Sequence, residues 1–282
     1  FKIIRNHSQL SYDGLWTAFS TTDKREDGKV WDMYSDKTNY VFGSSAQGAN
    51  YRKEGDSYNR EHSFPKSWFN DAKPMYTDLV HLVPTDGYVN NRRSNYPFGE
   101  NNGEKYKSNK GFSKLGKCTY PGYSGIVFEP NDMYKGDFAR IYFYMATAYE
   151  DKIANWSGSE FPKIASHDSY KPYKDWQMNM LIEWAKKDPV SQKEIDRNRG
   201  IQQQQNNRNP FVDYPGLEEY IWGSMQNVAF SYDNYQGVSS IPFIEFETEP
   251  IYPKGWYNLN GQKVGDECPT QKGIYIHHGK KM

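Results

Sequence analysis

The sequence has few cysteines, no net charge and no long apolar run. Its 282 residues include two cysteines, Cys118 and Cys268, and neither belongs to a C-x-x-C pair. Two cysteines exclude a disulfide framework, and their positions exclude a zinc or redox motif of the C-x-x-C type. One long-range disulfide and two buried thiols both remain open.

The charges balance, with 35 lysines and arginines against 35 aspartates and glutamates. The field of the whole molecule therefore cannot hold a polyanion, and such a partner needs a local basic stripe. No apolar run approaches the roughly 20 residues of a membrane span. The sequence starts at Phe1 without a charged segment followed by an apolar one, so a removed signal peptide and a trimmed chain both fit.

Aromatic residues are abundant instead, at 17% of the chain. Spacing of apolar residues predicts a short helix over residues 9–19 and two extended segments, 58–64 and 78–83, each followed by a proline. Thr85 is placed to cap a helix that continues toward residue 95. The predicted local order is strand, strand, helix.

Further along, residues 96–130 are rich in Gly, Asn and Ser, which predicts one long loop. Helical spacing recurs over residues 138–149 and 176–184, and Ser191 with Glu194 forms a capping box that starts a third helix. From residue 245 onward, short apolar pairs alternate with turns, which is typical of a small β module. We therefore expect an α+β protein with two domains, residues 1–240 and 241–282.

The most informative chemistry lies in the first extended segment. Glu61 and His62 place a carboxylate, a hard-metal ligand, beside an imidazole that is a base near neutral pH. On the following helix, Asn90 and Arg93 share a face with Asp86 by their spacing of three and four residues. Together these groups suit hydrolysis of a phosphodiester, where a cation neutralises developing charge and a base activates water.

Each residue has an expected role in that reaction. Glu61 and Asn90 are predicted to hold one Mg²⁺, with Ca²⁺ and Mn²⁺ as substitutes in binding, and neutral His62 to take the proton from water. A second group must fix the His62 tautomer, and the sequence does not identify it. Arg93 either donates to the scissile phosphate through its planar fork or forms a surface salt bridge.

Three segments resemble the bacterial endonuclease I group, secreted and periplasmic nucleases with a His-Me finger. They are residues 58–69 (YNREHSFPKSWF), 78–84 (DLVHLVP) and 89–95 (VNNRRSN). The resemblance spans about residues 8 to 222 and also includes Arg140, Arg197 and Gln205. It implies a ββα-metal core packed with several helices, with Glu61 and Asn90 as metal ligands and His62 as general base.

The resemblance also sets expectations for binding. It implies DNA as substrate, with RNA left open, and a monomer is expected. Sequence preference is expected to be weak, because phosphate and sugar contacts carry no base information and no base-reading helix motif is visible. The phosphate-binding arginine that some relatives carry between the two strands has no counterpart here, and Arg93 or Arg197 is the expected substitute. The predicted nucleic-acid contacts are Arg60, Arg140, Arg197, Gln205, Lys105, Lys107 and Lys110.

Several alternatives stay open on the sequence. His81 either packs in the core or faces the site, and the lysines of residues 105–117 either follow a nucleic-acid strand or are simply solvated. The tail from residue 256 resembles the C-terminal sorting modules of bacteria with type-nine secretion, which favours export. A non-catalytic surface protein that binds glycans through its aromatics is the alternative from another class, and a nucleic-acid binder without cleavage is a third.

Overall fold

The computed structural model describes residues 4–232 and, beyond them, 256–257, 262–267, 269–271, 276–277 and 280–281. The chain divides into two units, residues 1–240 and 241–282. In the first unit the helices are α1 (Gly14–Thr22), α2 (Gly87–Arg93), α3 (Lys135–Ala148), α4 (Glu150–Ile153), α5 (Asp175–Lys187), α6 (Gln192–Gln205), α7 (Pro210–Asp213) and α8 (Leu217–Ile221). Its strands are β1 (Tyr58–His62), β2 (Leu82–Asp86), β3 (Tyr106–Lys107), β4 (Lys114–Lys117) and β5 (Ile126–Glu129). Across the described ranges, no helix is both long and apolar enough to cross a membrane.

A two-stranded antiparallel sheet followed by a helix forms the centre of the first unit. β1 pairs with β2 so that Glu61 is opposite Val83 and His62 is opposite Leu82, and α2 follows β2 directly. The predicted order of strand, strand and helix is confirmed. The prediction that Pro84 ends the second strand is wrong, because Pro84 lies inside β2, opposite Arg60. A two-stranded sheet has only edge strands, where a proline can face away from the partner.

The predicted start of that second strand is also wrong, because residues 78–81 are irregular. Arg197 of α6 explains the irregular path: its guanidinium donates to the carbonyl oxygens of Leu79 and Val80 at 2.8 and 3.1 Å, and to that of Leu82 at 2.6 Å. Arg197 therefore holds this segment in its irregular path as far as Leu82, where pairing with β1 begins.

The cap of α2 differs from the predicted one by one residue. Asp86, and not Thr85, accepts from an orphan N–H of the first turn, that of Val89, at 2.9 Å. Asp86 also accepts from Tyr40 Oη and from the Gly55 backbone N–H, each at 2.7 Å. Its carboxylate is therefore committed to fixing the start of α2, and the prediction that it shares a ligand face with the later residues of the helix is corrected.

Residues 96–130 do not form the single long loop that their composition predicts. They contain a three-stranded antiparallel sheet in the order β3, β4, β5. The strands are only two to four residues long, so turn residues dominate the composition and obscure the alternation.

The helical predictions are confirmed with shifted ends. α3 buries Phe138, Tyr142 and Met145, and it packs against α5. Glu194 and Ser191 form the predicted capping box at the start of α6. The first helix, expected over residues 9–19, covers Gly14–Thr22 and packs against α6.

In the second unit the described strands are β6 (Trp256–Tyr257), β7 (Lys263–Gly265), β8 (Ile276–His277) and β9 (Lys280–Lys281), paired antiparallel in the order β7, β6, β8, β9. Most residues of the predicted β module lie outside the described ones, as does Cys268.

Cys118 is a free thiol, and burial raises its pKa.

Candidate active site

The site is built on the last residues of β1. Successive side chains of a strand point to opposite sides: Asn59 and Glu61 meet side chains of α2, whereas Arg60 and His62 meet two tyrosines on the other side. A carboxylate and an imidazole on neighbouring residues can share one site only where the strand ends. β1 ends at His62.

His62 is held by a backbone carbonyl. Its Nε2 lies 3.0 Å from the carbonyl oxygen of Tyr76, in the short helix Met75–Thr77. Only a protonated nitrogen can donate to a carbonyl, and this hydrogen bond assigns the proton of the neutral ring to Nε2, leaving Nδ1 as the acceptor. Burial and the nearby His81 hold the pKa of His62 well below 6.5, so the ring is neutral at pH 7. The Tyr76 carbonyl thus orients the His62 ring, and it is a group that the sequence does not identify.

His81 is fully buried beside His62, with the two ring centroids 5.4 Å apart. Its Nε2 lies 2.7 Å from the Met75 carbonyl oxygen, one residue before the carbonyl that holds His62. Burial lowers the pKa of His81, against the opposing effect of Asp78. Of the two roles left open for it, core packing describes its position, and that packing supports the ring of His62.

Glu61 is a buried carboxylate with unequal oxygens. Arg93 Nη1 and Tyr34 Oη both donate to Oε1, each at 2.9 Å. Burial raises the pKa of Glu61 to about 7, against the opposing effects of Arg93, Tyr34 and the Asn90 amide. A bound cation favours the ionised form of a neighbouring carboxylate, which this environment disfavours on its own.

Arg93 is placed differently from either sequence prediction. It is 1% exposed, so it is neither a surface salt bridge nor open to a phosphate in this structure. Besides Glu61, its guanidinium donates to the carbonyl oxygens of His62 and Ser63, at 3.1 and 2.7 Å. Arg93 therefore fixes both the carboxylate and the end of β1, and acts as a positioning residue.

Asn90 completes a set of hard oxygen donors. Its Nδ2 donates to Asn59 Oδ1 at 2.8 Å, which orients the amide and uses its nitrogen, not its oxygen. In the part of the chain that the structure describes, no three His, Cys, Asp or Glu residues are grouped closely enough to hold a metal ion. One carboxylate and one amide suit Mg²⁺, which keeps several waters and is often held by one or two protein groups plus substrate phosphates.

The other predicted nucleic-acid contacts fall into two classes. Three are buried and bonded within the protein: Arg140 pairs with Glu194, Arg197 pairs with Asp23, and Gln205 donates to Asp78. Their side chains are not available to a substrate in this structure, which corrects the prediction for these three and excludes Arg197 as the expected phosphate-binding substitute.

The remaining predicted contacts lie at the surface. Lys105, Lys107 and Lys110 are exposed, on and around β3, and Lys110 Nζ lies 3.5 Å from Asp36. Arg60 is half-buried beside His62, with its side chain 15% exposed and 3.2 Å from Asp13. Position therefore allows these four to reach a bound strand.

Three groups at the site escape sequence reasoning. Tyr34 lies 27 residues before Glu61 in an irregular segment, so no periodicity connects the two. The carbonyl of Tyr76 belongs to the backbone, so residue type does not reveal its role. Asn59 could have been found, because alternation along a strand places it on the same side as Glu61.

Comparison with known proteins identifies the family of this chain. The model of the Endonuclease I family matches residues 1–216. The chain is 36% identical over 230 residues to the extracellular ribonucleases of Bacillus amyloliquefaciens and Bacillus subtilis (strain 168), which covers 78% of this chain and 71% and 72% of theirs. It is 29% identical over 142 residues to a periplasmic deoxyribonuclease of Aeromonas hydrophila, covering 49% of this chain and 48% of that one. The chain belongs to the endonuclease I family and is an endonuclease, a phosphodiester hydrolase that cuts within a nucleic-acid strand.

Proposed function

We propose that the chain is an exported, largely sequence-nonspecific nuclease that uses one Mg²⁺ to hydrolyse phosphodiesters of DNA and of RNA. One observation carries the proposal: at the end of β1, an imidazole whose Nδ1 is the free acceptor adjoins a carboxylate that faces Asn90 of α2. Both substrates are included because the relatives are named for ribonuclease and for deoxyribonuclease activity. Export is proposed because those relatives are named extracellular or periplasmic.

His62 is the proposed general base. Its low pKa keeps Nδ1 unprotonated at neutral pH, and the Tyr76 carbonyl aims that nitrogen by holding Nε2–H. Nδ1 takes the proton as water attacks phosphorus, and the imidazolium that forms is stabilised by the same carbonyl. General-base catalysis of this kind contributes about a hundredfold to ten-thousandfold.

Glu61 and Asn90 are the proposed metal ligands. A bound Mg²⁺ would neutralise charge that develops on the phosphate and on the leaving 3′-oxygen. Arg93 and Tyr34 hold Oε1 of Glu61, which fixes the direction of the carboxylate. Because phosphate and sugar contacts carry no base information, we expect weak sequence preference.

The sequence also gives one further proposal and one alternative. Residues 241–282 are proposed as a sorting module of the type-nine kind, supported by the resemblance of their sequence. Glycan binding without catalysis does not account for membership of a nuclease family, and no contact in the described residues favours it over hydrolysis.

Plasmid nicking tests the proposal through a matched pair of variants, His62→Asn and His167→Asn. His167 is an exposed histidine with a positive φ of 59°, a conformation that asparagine tolerates. We expect wild type and His167→Asn to nick DNA and RNA with Mg²⁺ and to be inactive with EDTA. His62→Asn should fold normally and lose about a hundredfold or more in rate. Wild-type cleavage by folded His62→Asn would refute the assigned base.

A further inference from the structure

Four side chains form a layered column beside His62. The guanidinium carbon of Arg60 lies 3.5 Å from the ring centroid of Tyr12, the rings of Tyr12 and Tyr76 are 4.9 Å apart, and Lys66 Nζ lies 5.7 Å from the Tyr76 ring. The order is therefore cation, ring, ring, cation. We call Arg60, Tyr12, Tyr76 and Lys66 the tyrosine wall.

The tyrosine wall borders the reaction centre directly. The imidazole centroid of His62 lies 6.2 Å from that of Tyr12 and 5.3 Å from that of Tyr76. The cations of the wall also contribute to the low pKa of His62, after burial and His81. A nucleotide attached to the scissile phosphate on this side of the strand would meet the wall first.

The wall is not part of the buried core. Tyr12 and Tyr76 are half-buried and Lys66 is exposed. Its cations pair with carboxylates at the surface: Arg60 with Asp13, whose side chain is 95% exposed, and Lys66 with Asp71 at 2.7 Å. Arg60 is fixed further, because it donates to the Tyr12 carbonyl oxygen at 2.7 Å and its guanidinium carbon lies 4.4 Å from the Trp16 ring centroid. The Lys66–Asp71 pair is exposed on both sides and contributes little to stability, so a phosphate can replace Asp71 at small cost.

We propose that the tyrosine wall is a stacking subsite for one unpaired nucleotide next to the scissile phosphate, and that the enzyme consequently favours single-stranded nucleic acid. The proposal rests on the proposed function of the His62 site. Tyrosine rings bind the face of any base, and neighbouring cations bind its phosphate, which is how sequence-nonspecific single-strand proteins hold their ligands.

The preference follows from access to the base. In a duplex both faces of each internal base are covered by neighbouring pairs, so a side-chain ring reaches a base only when the strand is unpaired or the base is turned out. In an unpaired strand the base takes the face of Tyr76 that Lys66 approaches, and the exposed lysine turns from the ring to the phosphate. The wall thereby joins base stacking to charge neutralisation without reading base identity.

Binding without cleavage tests the subsite. Labelled single-stranded and duplex oligonucleotides are titrated in EDTA against wild type, Tyr12→Leu, Tyr76→Leu and the ring-preserving Tyr12→Phe. Tyr170→Leu is the matched control, because Tyr170 is 83% exposed and belongs to a different segment. We expect each wall-to-leucine change to weaken single-strand binding about tenfold to a hundredfold and to leave duplex binding nearly unchanged. Tyr12→Phe and Tyr170→Leu should bind as wild type.

Equal losses for both oligonucleotides, or none for either, would overturn the subsite. A second measurement needs no variant: 2-aminopurine placed along a single strand reports stacking by quenching, and wild type should quench it at one position next to the cleaved bond. Unchanged fluorescence at every position would also overturn the proposal. Cleavage of the same strands by wild type with Mg²⁺ is scored separately, so loss of the nuclease assignment and loss of the subsite are distinguishable.

Discussion

Two buried arginine–glutamate pairs of this enzyme, Arg93–Glu61 and Arg140–Glu194, have similar burial and charge. They differ in how many carboxylate oxygens the arginine binds. Glu61 and Glu194 are 4% and 5% exposed, and burial raises the pKa of each to about 7. Arg140 binds Glu194 through both oxygens, at 2.6 and 2.7 Å. Arg93 and Tyr34 both bind Glu61 through Oε1 alone.

The difference distinguishes the proposed metal ligand, Glu61, from a carboxylate that holds the start of a helix. Glu194 also accepts from the Ser191 backbone N–H on Oε2 at 3.0 Å, so both of its oxygens hold the start of α6. Glu61 accepts from Arg93 and Tyr34 on Oε1, and the Asn90 amide and the His62 backbone also hydrogen-bond to its carboxylate. A perturbed pKa therefore does not distinguish these two carboxylates, whereas the number of oxygens that an arginine occupies does.

The largest expected effects come from the same substitution at the two carboxylates. Glu61→Gln should reduce plasmid nicking by about a hundredfold or more per folded molecule, because the amide cannot neutralise or hold a divalent cation. Glu194→Gln should keep wild-type nicking but lower the free energy of unfolding by about 3 kcal/mol, because Arg140 is left buried without its anion. Nicking rates and urea unfolding measure both. If Glu194→Gln abolished cleavage without changing stability, the distinction would fail.

A smaller effect is expected when the arginine is changed beside Glu61. Arg93→Lys keeps the charge but loses the planar fork that spans Glu61 and the Ser63 carbonyl. We expect nicking to fall about tenfold to a hundredfold, the usual effect of losing a group that orients a metal ligand. Arg25→Lys, at an exposed pair with Asp27, is the control and should behave as wild type. Equal rates for the two variants would contradict the positioning role of Arg93.

The sequence predicted the centre of this site better than its surroundings. Glu61 and His62 lie on a strand and Asn90 on a helix, both with a readable periodicity, and the structure brings Asn90 beside Glu61. Arg140 and Arg197 were predicted to contact nucleic acid but pair with carboxylates in the core. A single sequence does not reveal which of these two partners an arginine has. The strands of residues 106–129 were missed because they are too short to show alternation.

The smallest expected effect is a shift of the acid side of the pH profile. The proposed mechanism needs His62 neutral, which its lowered pKa maintains to well below pH 6.5. It also needs Glu61 ionised, and protons compete with the cation for that carboxylate below its pKa of about 7. With saturating Mg²⁺ the rate should fall only below pH 6.5, set by His62. With limiting Mg²⁺ the fall should move up toward pH 7. If the acid midpoint of the pH–rate profile does not change with the Mg²⁺ concentration, protons do not compete with the cation at Glu61.

The most direct test of the central claim is a Mn²⁺ titration followed by electron paramagnetic resonance, with no substrate and no cleavage to score. The account predicts one bound Mn²⁺ per chain in wild type and in Glu194→Gln, and loss of that ion in Glu61→Gln. Retention of the ion by folded Glu61→Gln, or its loss in Glu194→Gln, would show that the metal is held elsewhere.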